Sequence, residues 1–174
     1  MHPRPSVRPA RPDDADAMAG VHVESWRQTY RGLMRDEALD APDLLPARRR
    51  FWRAVLVEEQ YGSFSTAVAE AEGTVVGIAL AGPTSEPDAD WDAQLYVLYL
   101  LDVFHGSGAG RRLMEAVLPV GGSTGLWVAD PNPRAQAYYA RQGFLADGVS
   151  KVEDGVSEVR MARGPGALAP GRST

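Results

Sequence analysis

The chain has 174 residues and no cysteine, which excludes a disulfide scaffold, a thiolate zinc site and a cysteine nucleophile. It also lacks any apolar run long enough to span a bilayer. Residues 1–5, Met-His-Pro-Arg-Pro, lack the apolar stretch of a secretory signal, so a cytoplasmic protein with no membrane partner is the expectation. A basic excess is missing as well. The net charge of −5 argues against a broad nucleic-acid-binding face. The chemistry must therefore come from oxygen, nitrogen or a cofactor. No internal repeat is visible, and the length favours one domain with a single sizeable core. That domain is expected over residues 1–163, with the breaker-rich segment 164–174 as a flexible tail.

The hydrophobic period changes repeatedly along the chain, the pattern of a mixed α/β domain. A short strand at 6–9 leads into a helix from Asp13 or Asp14 that carries Met18, Val21, Val23 and Trp26. A second helix is predicted over 46–59 with Phe51, Trp52, Val55 and Leu56 on its apolar face. Strands at 65–69 and 74–81 around Ala71-Glu-Gly73 read as a hairpin, followed by a loop at 82–90 and a strand at 93–101. The remaining elements are a helix to about 118, a strand at 125–129, a helix at 133–142 opened by Pro133, and strands at 144–152 and 157–162. Gly143 has the position of a left-handed helix C-cap.

The most informative stretch is Tyr99-Leu-Leu-Asp-Val-Phe-His-Gly-Ser-Gly-Ala-Gly-Arg-Arg-Leu-Met114, in which an apolar strand feeds a glycine loop that opens into an amphipathic helix. Glycines at 106, 108 and 110 allow tight turning and close approach to a ligand, and the amides of the helix N-terminus face a common anion. Two familiar phosphate loops fit poorly. A Walker loop needs Gly-Lys-Ser/Thr, whereas Gly110 is followed by Arg111 and Arg112. A dinucleotide fingerprint needs a third glycine where Arg111 stands, although Asp130 has the spacing of its ribose-binding acid. An ordinary glycine-rich turn stays open at this point.

Together with Leu126-Trp-Val-Ala-Asp-Pro-Asn-Pro-Arg-Ala-Gln-Ala-Tyr-Tyr-Ala-Arg-Gln-Gly-Phe144, this stretch closely resembles the GCN5-related N-acetyltransferase (GNAT) superfamily. The first block matches the Arg/Gln-x-x-Gly-x-Gly/Ala loop and its helix, and the second matches the Asn, the Arg-Ala pair and the Tyr-x-x-x-Gly-Phe ending. Val7-Arg-Pro-Ala-Arg-Pro-Asp-Asp-Ala15 and Ser25-Trp-Arg-Gln-Thr-Tyr-Arg-Gly-Leu33 extend the resemblance toward the N-terminus. It implies an α/β (mixed α+β) acyl-CoA N-acyltransferase fold. Its central twisted sheet would be mixed and mostly antiparallel, flanked by helices, with a V-shaped splay between two parallel strands.

The resemblance further implies acetyl-CoA as acyl-donor cosubstrate, with no metal. Gly106, Ser107, Gly108, Ala109, Gly110 and Arg111 would cradle its pyrophosphate, and Tyr99, Leu100 and Leu101 would pair its pantetheine arm through the backbone. His105 stands where the family usually carries Arg or Gln, and is expected to contact the cofactor; a solvated loop histidine is the alternative. Asp102 replaces a common proline beside the cradle, where an inward carboxylate would disfavour pyrophosphate. Asn132 would contact the pantetheine arm, or alternatively cap the helix before Pro133.

Tyr139 matches the tyrosine that protonates the departing CoA thiolate, with Tyr138 as its packing neighbour. No general base is evident: some acetylases of protein N-termini carry glutamate where this chain has Trp127, and Asp92, Asp102 and Glu70, conceivable bases or water relays, read more readily as solvated carboxylates, so none is assigned. Trp26, Tyr30, Trp52, Tyr61, Trp91 and His22 lie in segments that shape acceptor sites in this family, yet at helical spacing Trp26 and Tyr30 also read as packing residues. The implied activity is transfer of an acetyl group to a primary amine on a small metabolite, an antibiotic or a protein. Another acyl-CoA, a hydroxyl acceptor, or a CoA-binding module without turnover are the alternatives. Dimers are common among similar proteins, so a homodimer is an expectation.

Overall fold

The fold is that of a computed structural model, which describes residues 4–165. From residue 166 onward the expected tail lies outside the described residues. Contacts divide the described residues into two compact units, one formed by residues 4–82 with 97–117 and the other by 83–96 with 118–165.

In the first unit, β1 (Ser6–Pro9) pairs antiparallel with β2 (Ser65–Ala71), which pairs antiparallel with β3 (Thr74–Gly82). The hairpin turns at Glu72 and Gly73, whose φ angles are both positive, 49° and 78°. The helices are α1 (Ala15–Tyr30), α2 (Asp36–Leu39), α3 (Leu44–Val57) and α4 (Ala109–Val117). α1 packs on α3 and β3, while α4 packs on β1, β2 and β3. This explains why β3 is buried at every position from Val76 to Gly82. Ile78 joins Met18, Trp52 and Val68 in a fully buried cluster with α1 and α3, whereas Gly77 faces Leu113 of α4. Each of these large apolar side chains contributes about 1.5–3 kcal/mol on burial.

A 3-10 turn at Pro12–Asp14 starts α1, and the carboxylate of Asp14 accepts hydrogen bonds from Arg8 at 2.7 and 2.9 Å and from the Arg11 amide at 2.7 Å. Arg8 also reaches Glu70 at 2.9 Å, tying β1, β2 and the start of α1 together. Its guanidinium is the main reason that Asp14 titrates below the usual carboxylate range.

Strand β4 (Ala93–Leu100) runs through both units. In the second unit its first residues pair in parallel with β5 (Thr124–Ala129), in register from Ala93 with Thr124 to Leu95 with Leu126. β5 pairs antiparallel with β7 (Val156–Arg163), which pairs antiparallel with β6 (Leu145–Glu153). α5 (Pro133–Arg141) follows β5 and is closed beyond Gln142 by Gly143, whose φ of 87° fits the left-handed residue expected there. The seven-stranded sheet has the order β1-β2-β3-β4-β5-β7-β6, mostly antiparallel, with β4 and β5 as the parallel pair.

The expected elements are present with shifted ends. The helix predicted over 46–59 begins at Leu44, because Pro46 sits in its first turn and is tolerated there, and it stops at Val57. Glu59–Tyr61 is a separate 3-10 turn. The four-residue α2 has no counterpart in the sequence pattern, since one turn of helix carries no readable period.

Candidate active site

The loop between β4 and α4 has the backbone that its glycines predict. Gly106 and Gly108 have φ of 82° and 78°, a region that side chains rarely adopt. A Cβ on Gly106 would meet nothing within 4 Å, so the loop presents open backbone at that point. Ser107 Oγ accepts a hydrogen bond of 3.3 Å from the Ala109 amide, a serine turn that ties the loop to the first residue of α4. The amides of Gly110 and Arg111 stand in the first turn of α4, where a helix supplies no carbonyl partner. Arg111 forms an ion pair of 2.6 Å with Glu115, one turn on. Arg112 donates to the Pro5 carbonyl at 2.8 Å and so fixes α4 to the chain before β1.

The end of β4 is held from three directions. Tyr99 Oη accepts a hydrogen bond of 2.9 Å from Trp26 Nε1 on α1. The Leu101 amide donates to the Val76 carbonyl at 3.0 Å, and the Asp102 amide donates to Gln28 Oε1 at 3.1 Å. His105 turns back onto the strand: Nε2 lies 2.7 Å from the Leu100 carbonyl oxygen and Nδ1 lies 3.2 Å from Asp102 Oδ1. The first unit thus brings Tyr99, Leu100, Leu101 and His105 through Arg111 into one continuous segment. Gln28, which anchors that segment to α1, was not singled out in the sequence, where an exposed helix glutamine carries no signal.

His22 and Trp52 belong to the core under this segment. His22 is buried, and its Nδ1 accepts a hydrogen bond of 3.2 Å from Trp52 Nε1, which places its proton on Nε2. Its ring lies 5.1 Å from that of Tyr99 and 5.4 Å from that of Trp26. Burial, reinforced by the positive charge of Arg48, pushes its pKa down to about 3. Arg48 itself lies 4.4 Å over the Trp26 ring.

In the second unit, Asn132 is the N-cap of α5, its Oδ1 accepting from the Ala135 amide at 3.1 Å. Tyr139 is half-buried on α5, with its ring 5.7 Å from that of the fully buried Phe144 and 5.3 Å from that of Tyr138. Asp92 accepts hydrogen bonds from the Ser123 amide at 2.8 Å and the Ser123 hydroxyl at 2.9 Å, which lower its pKa and commit it to the turn before β5.

A polar cluster surrounds Trp127 of β5. Its indole N–H donates to Glu86 Oε1 at 2.9 Å, and Lys151 lies 4.5 Å over its ring. The neighbouring Arg160, buried despite its charge, makes a two-pronged pair with Asp88 at 2.9 and 3.1 Å and reaches Asp147 at 2.7 Å. Its guanidinium also lies 5.2 Å over the ring of Trp91. The loop before β4 is thereby fastened to β5 and β7. Glu158, also in this cluster, is pushed upward in pKa chiefly by burial, against the attraction of Lys151 at 3.5 Å.

Among the described residues, no helix is long and apolar enough to cross a membrane.

Residues 23–144 match the family model described as "Acetyltransferase (GNAT) family". A probable N-acetyltransferase of Mycobacterium tuberculosis is 30% identical over 151 residues, covering 82% of this chain and 80% of its own. An uncharacterized N-acetyltransferase of Bacillus subtilis is 33% identical over 141 residues, covering 78% of each chain. The fold is also that of the PaiA N-acetyltransferase of Thermoplasma acidophilum, solved in complex with coenzyme A, with a TM-score of 0.73 at 19% identity over 92% of this chain and 98% of that one. The glycine-loop architecture, the sheet order and these matches agree, and the chain belongs to the acetyltransferase (GNAT) family.

Proposed function

We propose that this protein transfers the acetyl group of acetyl-CoA to a primary amine by direct attack in a ternary complex. The observation that carries this reading is the pair of left-handed glycines, Gly106 and Gly108, feeding the N-terminus of α4 directly from the end of β4. Two features support a pyrophosphate at this backbone: the loop is open at Gly106, and the first-turn amides of Gly110 and Arg111 have no carbonyl partner within the helix. Acetyl-CoA, when bound, supplies the activated acetyl thioester.

The residues of the chain have separate tasks in this proposal. Gly106 through Arg111 hold the pyrophosphate, mostly through main-chain N–H groups, and the backbone of Tyr99 through Leu101 aligns the pantetheine arm. A main-chain N–H at the end of β4 polarises the reacting carbonyl, an electrostatic contribution that needs no rearrangement. Tyr139 holds the proton that the leaving thiolate takes, at its phenolic oxygen. Asn132 is assigned to the pantetheine arm by its place in the family motif alone, and its Oδ1 is already engaged by the Ala135 amide as the cap of α5.

The test is thiol release from acetyl-CoA across a panel of small amines, amino acids and peptide N-termini. Amine-dependent release supports transfer. Binding of CoA with no release for any amine or alcohol would replace the proposal with a CoA-binding module.

A further inference from the structure

The sequence flags His105 and Asp102 separately, one as a weakened phosphate ligand and the other as an ill-placed carboxylate. In the structure they face each other. The His105 ring has two nitrogens, and both are engaged: Nε2 at 2.7 Å from the Leu100 carbonyl oxygen and Nδ1 at 3.2 Å from Asp102 Oδ1. A carbonyl and a carboxylate are both acceptors, so the ring satisfies both only when each nitrogen carries a proton. In that form the positive ring compensates the Asp102 carboxylate at the mouth of the glycine loop. On the other side of the same turn, the Asp102 amide donates to Gln28 Oε1 at 3.1 Å, and Gln28 Nε2 donates to Glu24 Oε1 at 3.2 Å. The turn from Leu100 to His105 is therefore closed on itself by the ring and moored to α1 by Gln28.

Resting on the proposed CoA reading, we infer that His105 is a positioning residue that closes the mouth of the cradle by bridging Leu100 and Asp102, and that it does not bind the phosphate itself. The bridge sets where β4 ends and where the left-handed run at Gly106 begins. It also gives the Asp102 carboxylate a cationic partner beside the glycine loop. Gln28 gives this arrangement its second anchor, so that α1 and the cradle are fixed relative to each other.

A double-mutant cycle tests this, reading CoA binding by calorimetry with His105→Ala, Asp102→Asn and the double variant, each confirmed as folded by its melting curve. His105→Ala is expected to weaken CoA about tenfold, since a charge-assisted bridge is lost and a carboxylate is freed. Adding Asp102→Asn to His105→Ala should recover about threefold or more, whereas Asp102→Asn alone should weaken binding because the ring loses its anchor. Strictly additive effects, with Asp102→Asn improving CoA binding equally in both backgrounds, would mean that His105 acts on the phosphate directly and would overturn the inference.

A second readout needs no CoA. Ring-nitrogen NMR of the ligand-free protein should show hydrogen-bonded protons on both Nδ1 and Nε2 of His105, and Asp102→Asn should change the Nδ1 signal while leaving the Nε2 bond to the Leu100 carbonyl in place. A His105 ring unaffected by Asp102→Asn contradicts the bridge, whatever CoA does. Failure of the wild-type protein to bind CoA, with the ring bridge present, removes the cofactor reading and leaves the bridge a purely structural tie.

Discussion

A Cβ built on Gly77 of β3 would lie 3.1 Å from the carbonyl oxygen of Tyr99 and 2.8 Å from Leu100 Cδ1, with Leu113 of α4 at 3.0 Å. The absence of a side chain at this one position is what lets β4 and α4 come together over β3. Gly77→Ala should therefore destabilise the fold by about 1–3 kcal/mol through overpacking, and Gly77→Val by more. Urea unfolding measures this. In the same variants CoA binding should weaken beyond the stability loss, because the displaced residues are those proposed to align the pantetheine arm. An alanine variant as stable as wild type would show that the strand and helix yield easily.

His22 gives the protein an acid-side sensitivity with a defined window. Burial, then Arg48, holds its pKa at about 3 in the fold against an ordinary value of 6.5. Between those values the unfolded chain binds the extra proton, so stability rises with pH across the window and is lost progressively as pH falls from 6.5 toward 3. The contribution of this group amounts to about 1.4 kcal/mol per pH unit in the middle of the window. His22→Gln keeps a side-chain acceptor for Trp52 and removes the titration. Its stability should fall less steeply than that of wild type between about pH 6 and pH 4 in denaturant titrations. Equal slopes would place the acid sensitivity in the carboxylates alone.

Arg160 fastens the loop before β4, and its loss should be felt in fluorescence as well as stability. Asp88, its two-pronged partner, has a side chain 60% exposed and can rehydrate once the arginine is gone. The expected cost of Arg160→Met is therefore about 1–3 kcal/mol, below that of a fully buried broken pair. Arg160→Lys should recover only part of this, since an ammonium cannot form the two-pronged pair or stack as a flat group over Trp91. The emission of Trp91 and Trp127 should shift toward longer wavelength in Arg160→Met. An unchanged spectrum would show that the loop stays in place without its clamp.

Tyr139→Phe separates the proposed acid from a packing role. The ring contacts with Phe144 and Tyr138 are preserved by phenylalanine, so the variant should stay folded, which its melting curve checks. Turnover should fall by roughly 10- to 100-fold, at or below the usual range for general acid catalysis because a thiolate leaves readily. CoA affinity should be unchanged. An unaltered kcat would remove the acid role from Tyr139.

Much of this was legible in the letters because it lies in local sequence. The left-handed turns at Gly106 and Gly108, the cap at Gly143 and the hairpin turn at Gly73 follow from residue types that tolerate positive φ. What could not be read depends on partners far along the chain. Trp26 meets Tyr99 across 73 residues, and nothing local to either announces the bond. Gly125 is required because the Trp91 ring would lie 2.2 Å from any Cβ there, a fact held in the packing of two separate segments. His105 and Asp102 are close in sequence, yet whether the ring turns inward is decided by where the Leu100 carbonyl ends up. Asn132 shows the same limit. Its cap on α5 was one of two readings, and only the position of the Ala135 amide reveals it.

The central claim, acetyl-CoA as the acyl donor, is tested most directly by a thermal-shift titration with acetyl-CoA, CoA, ATP and NAD. A ligand that binds only the folded state raises the melting temperature in proportion to the logarithm of its concentration over Kd. The account predicts stabilisation by acetyl-CoA and CoA and none by ATP or NAD at matched concentrations. A shift with ATP or NAD alone, or no shift with either form of CoA, would contradict it.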